Sequence, residues 1–245
     1  RFAYVAGENG GAVFLFVYLA FVALIGLPLV IAELSLGRRG GGDAVQAYAH
    51  ASGDSLWRHV GWLAVIGSAL ILSYYAVIAG WALKYFFGAA SGALWQAAEA
   101  GYGSYFDGFI AGTFEPVVWQ TVMMTVAAVI VAGGIKGGIE RVNLVLMPLL
   151  GLIVIGLAVF ALLLPGSGRG VQFLFQPDWT ALGRPSVYLN ALGQAFFSLG
   201  LGMAVFITYG SYLNSTTRIP GAATTITIGD TLFAIVAGLA IFPAV

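Results

Sequence analysis

Apolar residues run along this chain in stretches long enough to cross a hydrocarbon core, separated by short connections rich in glycine and charge. The first full stretch is predicted from about Ala12 to Leu36 and stops at Gly37-Arg38-Arg39-Gly40. A second follows from about Gly61 to Gly88, a third from Pro116 to Ala132, a fourth from about Val142 to Leu164, a fifth from Asn190 to Tyr212, and a last one contains Asp230. Arg1 to Gly7 reads as the tail of a further helix, ended by the turn-rich Glu8-Asn9-Gly10-Gly11. Between the spans, Gly41 to His59 is polar with a short helical pattern. Ala89 to Glu115 and Pro165 to Pro185 read as loops, and Gly133 to Arg141 as a tight polar connection.

One stretch departs from the pattern of a plain span. In NALGQAFFSLGLGMAVFITYGSY, Asn190 to Tyr212, three glycines lie among Gln194 and Ser198 at mid-depth. A helix in lipid must satisfy its own backbone, so such a cluster marks a helix that breaks where it lines a cavity. Close packing of helices through small residues is the other reading. Pro148 sits inside the first turns of its span, where a proline loosens or kinks a helix.

Composition sharpens this picture. The 245 residues are 60% hydrophobic and 8% charged, with mean hydropathy +0.95, so the chain belongs in lipid. Net charge is zero without any basic run, which leaves no footprint for nucleic acid. There are no cysteines. Alternating spans put Arg38, Arg39, Arg58, Lys136, Arg141 and Arg218 on one side, the cytoplasmic one, against Arg169 and Arg184 on the other, and leave Glu99, Asp107 and Glu115 in an external loop. Both ends fall in helical or apolar sequence, so a fragment of a longer membrane protein is expected, residues 1–245 forming a single transmembrane domain truncated at both ends.

Asp230 is the most informative residue. A carboxylate near the bilayer centre costs about 2.5–3.5 kcal/mol on insertion scales, so it requires a partner unless it reaches hydrated headgroups. With no basic neighbour in sequence, a cation is the expected partner, held by Asp230, the Ser198 hydroxyl and carbonyls released at a helix break. Glu33 reads either as an interfacial carboxylate or as an inward-facing acceptor, and Tyr74 or Tyr75 should face the bundle interior. Intramembrane aspartyl proteolysis needs two embedded aspartates, and this chain offers one.

Four segments carry a resemblance: Arg1-Phe2 with Glu8-Asn9-Gly10-Gly11; Gly26-x-Pro28 through Glu33 to Gly37-Arg38; Gly138-Ile139-Glu140-Arg141 with Met147-Pro148; and GQAFFSLGLGMA from Gly193 to Ala204. Together they resemble the neurotransmitter:sodium symporters. The resemblance implies an all-α integral membrane protein, a partial LeuT-type inverted-repeat fold from the end of helix 1 through helix 7, with broken helices at the midplane as in the prototype of that fold. It implies a sodium-coupled symporter in the bacterial inner membrane that imports a neutral, hydrophobic amino acid by alternating access, and not an enzyme. A receptor or sensor that binds without translocating is the alternative. Sodium is the implied ion, membrane lipid and an amino acid are the implied partners, and a homo-oligomer is left open.

By position in these motifs, Ser198 and Asp230 match sodium ligands. Ile71, Tyr75, Phe197, Ser198, Gly200 and Met203 match the substrate pocket, with Phe197 as outer lid and Tyr75 on the substrate carboxylate. Arg1 and Gln194 match the external gate, Tyr212 the internal gate, and Glu33 an acceptor for the unwound part of helix 6. Gly138 and Pro148 match a pattern tied to unwinding of helix 5. Ala3 stands where a proline is usual, Asn143 where a lysine is common, Gly200 where the prototype has serine, and Asp230 where asparagine is usual. A carboxylate at that last position implies independence from chloride.

Overall fold

The computed structural model describes residues 1–53, 55–96 and 101–244, and its described residues are helical with short connections. Glu99 and Val245 lie outside the described residues. Two compact units form, one from residues 1–66 and 148–245, the other from residues 67–147.

In the first unit, α1 (Phe2–Glu8) leads through the left-handed pair Gly10 and Gly11 into the long α2 (Ala12–Gly40). Within α2 a wide π turn, Val22–Gly26, precedes Pro28. Such a turn lets the chain absorb the amide that proline lacks. A short amphipathic helix, α3 (Ala44–Ser52), begins on an Asp43 side chain that accepts from the Gln46 amide at 2.9 Å and ends on left-handed Gly53. It lies close against the end of α2, where a Cβ on Gly40 would meet the Ala47 backbone at 2.4 Å. The long α4 (Arg58–Ala90) starts in this unit and continues into the other.

The second unit contains the outer part of α4, α5 (Tyr102–Ala111), α6 (Glu115–Ala132) and the start of α7 (Ile135–Leu162). The expected loop from Ala89 to Glu115 therefore carries a helix. Aromatic contacts explain it: Phe106 meets Trp81 edge-on at 5.1 Å and Tyr105 meets Tyr85 at 5.8 Å. Lys84 pairs with Glu115 and lies 5.8 Å from the Phe109 ring and 6.0 Å from that of Trp119. The connection expected from Gly133 to Arg141 is instead the π-helical first turn of α7, Ile135–Glu140. Only glycine fits at 138, since a Cβ there would stand 1.9 Å from the Ile130 carbonyl. The helix stays wound through Pro148.

Back in the first unit, the expected loop from Pro165 to Pro185 contains α8 (Ser167–Phe175) and a 3-10 turn, Trp179–Gly183. Leu174 is fully buried, and Gly170 presses against the Phe242 carbonyl, so packing rather than length supports this short helix. Then come α9 (Pro185–Leu199), α10 (Val205–Ser211) and α11 (Ile219–Ile241). The stretch singled out in the sequence is thus two helices with five residues between them that belong to neither. A core of Phe2, Phe14, Tyr18, Val22, Val30 and Leu34 with Ala191, Ala195, Leu199 and Phe206 joins α1, α2, α9 and α10.

The closest crossing is that of α2 with α10. A Cβ on Gly37 would stand 1.9 Å from the Ile207 carbonyl, and one on Gly210 would stand 2.5 Å from that of Leu34. Backbone faces backbone here, with no flexible side-chain end able to yield. Gly37→Ala should cost about 1–3 kcal/mol as overpacking and lower the midpoint of thermal unfolding in detergent. Gly156→Ala, where a Cβ meets nothing within 4 Å, should leave the midpoint unchanged.

Candidate functional site

Helix α9 ends in a Schellman motif. Gly200 is left-handed at φ 68°, its amide donates to the Phe197 carbonyl at 3.2 Å, and the Leu201 amide donates to the Phe196 carbonyl at 3.0 Å. Gly202 at φ 75° and Ala204 at φ 60° are left-handed as well, and Ala204 is the only non-glycine in that region among the described residues. In a continuous helix the Gly202 amide would bond the Ser198 carbonyl. Here it donates to Glu33 Oε1 of α2 at 2.8 Å, which releases the Ser198 carbonyl from the ladder. Glu33 is therefore inward-facing.

On the last turn of α9, Ser198 Oγ donates to Asp230 Oδ2 of α11 at 2.7 Å. These two residues are 32 apart in sequence and are brought together by the packing of α9 and α11 on the shared core. Tyr18, fully buried on α2, turns its phenol to the same place, with Ser198, Thr231 and the Asp230 carboxylate as neighbouring polar groups. Its hydroxyl forms no direct hydrogen bond, and neither do the buried Gln194 Oε1, Thr227 Oγ1 and Glu33 Oε2. A buried polar atom without a partner is costly and invites explanation by a ligand or water. Carboxylate, hydroxyl, phenol and released carbonyls make an all-oxygen set, the chemistry a hard cation takes.

At the other face of the break, the Arg1 guanidinium lies 4.0 Å above the Phe197 ring. Arg1, Gln194, Phe197, Ser198, Gly200 and Met203 thus share the unit with Glu33 and Asp230. Tyr212 follows the end of α10 and is exposed in this chain. Ile71 and Tyr75 stand one turn apart on one face of α4, in the second unit, as does Gly138, while Pro148 begins the return to the first. Tyr74 and Tyr75 contact each other at 5.6 Å between ring centroids.

Sequence reasoning passed over several residues. Tyr18 carried the same signal as Tyr74 and Tyr75, a phenol deep in an apolar run. Asn190 Nδ2 donates to Asn9 Oδ1 at 2.9 Å, tying the second turn of α9 to the α1–α2 turn, and Arg38 Nη1 donates to the Thr217 carbonyl at 2.8 Å. Neither contact leaves a local mark in the sequence.

An all-helical multi-pass membrane fold, among the described residues, with a helix break held by a carboxylate defines a LeuT-fold chain. It belongs to the sodium:neurotransmitter symporter family, whose model matches residues 1–104 and 112–245. The crystal structure of MhsT in complex with L-phenylalanine is 52% identical and superposes with a TM-score of 0.94, covering 100% of this chain and 55% of that one. The sodium-dependent transporter YhdH of Bacillus subtilis is 42% identical over 245 residues, covering 100% of this chain and 54% of YhdH. The sodium-dependent neutral amino acid transporter B(0)AT2 of Bos taurus is 27% identical over 86% of this chain and 33% of its own length. The chain spans about half the length of the two more similar proteins.

The strain at Ala204 is testable. A left-handed non-glycine costs about 1–2 kcal/mol, more when β-branched. Ala204→Val should lower the midpoint of thermal unfolding by several degrees, whereas Ala204→Gly should hold or raise it.

Proposed function

We propose that the full-length protein is a sodium-coupled symporter that imports a neutral, hydrophobic amino acid across the bacterial inner membrane by alternating access, and is not an enzyme. The observation that carries this reading is the Ser198–Asp230 pair at the end of a broken helix. An embedded carboxylate with no basic partner among the described residues holds a site for one positive charge, and a hydroxyl and released carbonyls complete an oxygen cage for sodium. Sodium is cargo here and binds with its substrate.

The substrate reading draws on the L-phenylalanine carried by MhsT and on the neutral amino acids named for the bovine relative. Among this chain's own residues, Phe197 and Met203 offer apolar surface and Gly200 offers room, while Ile71 and Tyr75 are assigned to the substrate by their place in the family's motifs alone. Arg1 stacked on Phe197 acts as the outer closure, with Gln194 beside it and Tyr212 serving the inner one. Gly138 and Pro148 bracket the segment of α7 whose unwinding would open a path from the cytoplasm, and Glu33 holds the break in α9–α10 while the rest moves.

Full-length protein in proteoliposomes should accumulate labelled phenylalanine only with an inward sodium gradient; binding without accumulation would favour a receptor. Asp230→Ala should abolish sodium-dependent binding, and unchanged binding would remove Asp230 from the site. Because Asp230 brings its own negative charge, uptake should persist when gluconate replaces chloride, and loss of uptake would overturn that role.

A further inference from the structure

The short helix α1 is closed at its C-terminal end by a side chain that also engages a second helix. The last carbonyls of a helix have no amide of a following turn to accept from. In α1 the Ala6 carbonyl accepts from the amides of Asn9 and Gly11, and the Val5 carbonyl accepts from Asn9 Nδ2 at 2.8 Å. A carbonyl can only accept, so the nitrogen of the buried Asn9 side chain is committed to Val5 and its Oδ1 is left for another donor. Asn190, in the second turn of α9, donates Nδ2 to that oxygen at 2.9 Å. The polarity of the pair is thereby fixed, and position 190 must supply a donor.

The same two helices meet again at their other ends. Arg1, which precedes α1, holds its guanidinium 4.0 Å above the ring of Phe197 near the end of α9. The two ties make α1 antiparallel to α9, and Asn190 and Phe197 lie two turns apart on one face of α9, with about 10 Å of helix between them. Between the ties the buried apolar residues of α9 are Ala191 and Ala195, whose methyl groups interlock little with a neighbour. The register of α1 on α9 therefore falls to the contacts at its ends. A cation above a ring tolerates displacement, whereas an amide-to-amide hydrogen bond tolerates only a few tenths of an ångström. Register is set at the asparagine end.

We propose that Asn190 is a positioning residue for the outer closure: through Asn9 it fixes α1 in register on α9 and so holds Arg1 over Phe197. The proposal deepens the symporter reading and rests on it for what Arg1 and Phe197 close, the route by which a bound amino acid leaves toward the outside.

Release of labelled phenylalanine from sodium-loaded full-length protein in detergent, chased with unlabelled ligand, tests it. Asn190→Leu should release label about fivefold faster than wild type, the size of one neutral hydrogen bond. Asn190→Asp, which keeps the volume but sets oxygen against oxygen, should do the same. In an Arg1→Ala background, where release is already fast, Asn190→Leu should add less than about twofold, because both changes act on one closure. Wild-type release in both Asn190 variants, or fold-changes that multiply with Arg1→Ala, would overturn the proposal. Should wild type bind no phenylalanine with sodium, the symporter reading fails, and hydrogen exchange in ligand-free protein decides the pair. The amides of α1 should then exchange at least about threefold faster in both Asn190 variants while those of α3 keep their rate. Unchanged exchange in α1, or an equal rise in both helices, would show that Asn190 does not hold α1.

Discussion

Inside a bilayer a backbone amide that leaves its helix has no water to turn to, and the architecture of the first unit follows from how one such amide is satisfied. The Gly202 N–H donates a hydrogen bond to Glu33, a residue of a different helix. For that bond to form, α10 must lie against α2 at backbone distance, which is why glycine stands at both Gly37 and Gly210. The Schellman cap at Gly200 and the left-handed Gly202 and Ala204 then lead the chain out of α9 and into α10. With Ser198 on the last turn before the break, its hydroxyl is left to meet Asp230, so the Ser198–Asp230 pair depends on the same geometry as the amide.

The second unit is organised by other forces. Its helices α4 and α6 approach through Gly80, where a Cβ would touch the Gln120 backbone at 2.7 Å, and their outer ends are joined by the Lys84–Glu115 pair beneath the rings of Tyr105, Phe109 and Trp119. Edge-on aromatic contacts place α5 on the outer end of α4.

Spans were legible because hydrocarbon imposes length and polarity on them, and the break was legible because glycines and hydroxyls at mid-depth violate that rule. Asp230 and Glu33 stood out for the same reason. The helices α5 and α8 were not legible, since each is short and mixed in polarity and gains its stability from docking: Phe106 on Trp81, Leu174 in the core. The early start of α7 was hidden by Gly133, Gly134, Gly137 and Gly138, which read as a turn although Gly138 serves a close approach to Ile130. Tyr18 was missed because a tyrosine's neighbours come from other helices.

Along Gly200, Leu201, Gly202, Met203 and Ala204 the sign of φ alternates, positive at the first, third and fifth positions. Alternating handedness turns successive N–H groups toward one side and makes a concave nest that favours negative charge. The break is therefore a shaped receptor for a carboxylate rather than slack chain. Its two glycines are indifferent to handedness, while Ala204 would gain by reverting to the right-handed form. One residue thus leans the segment toward rewinding and one carboxylate leans it away.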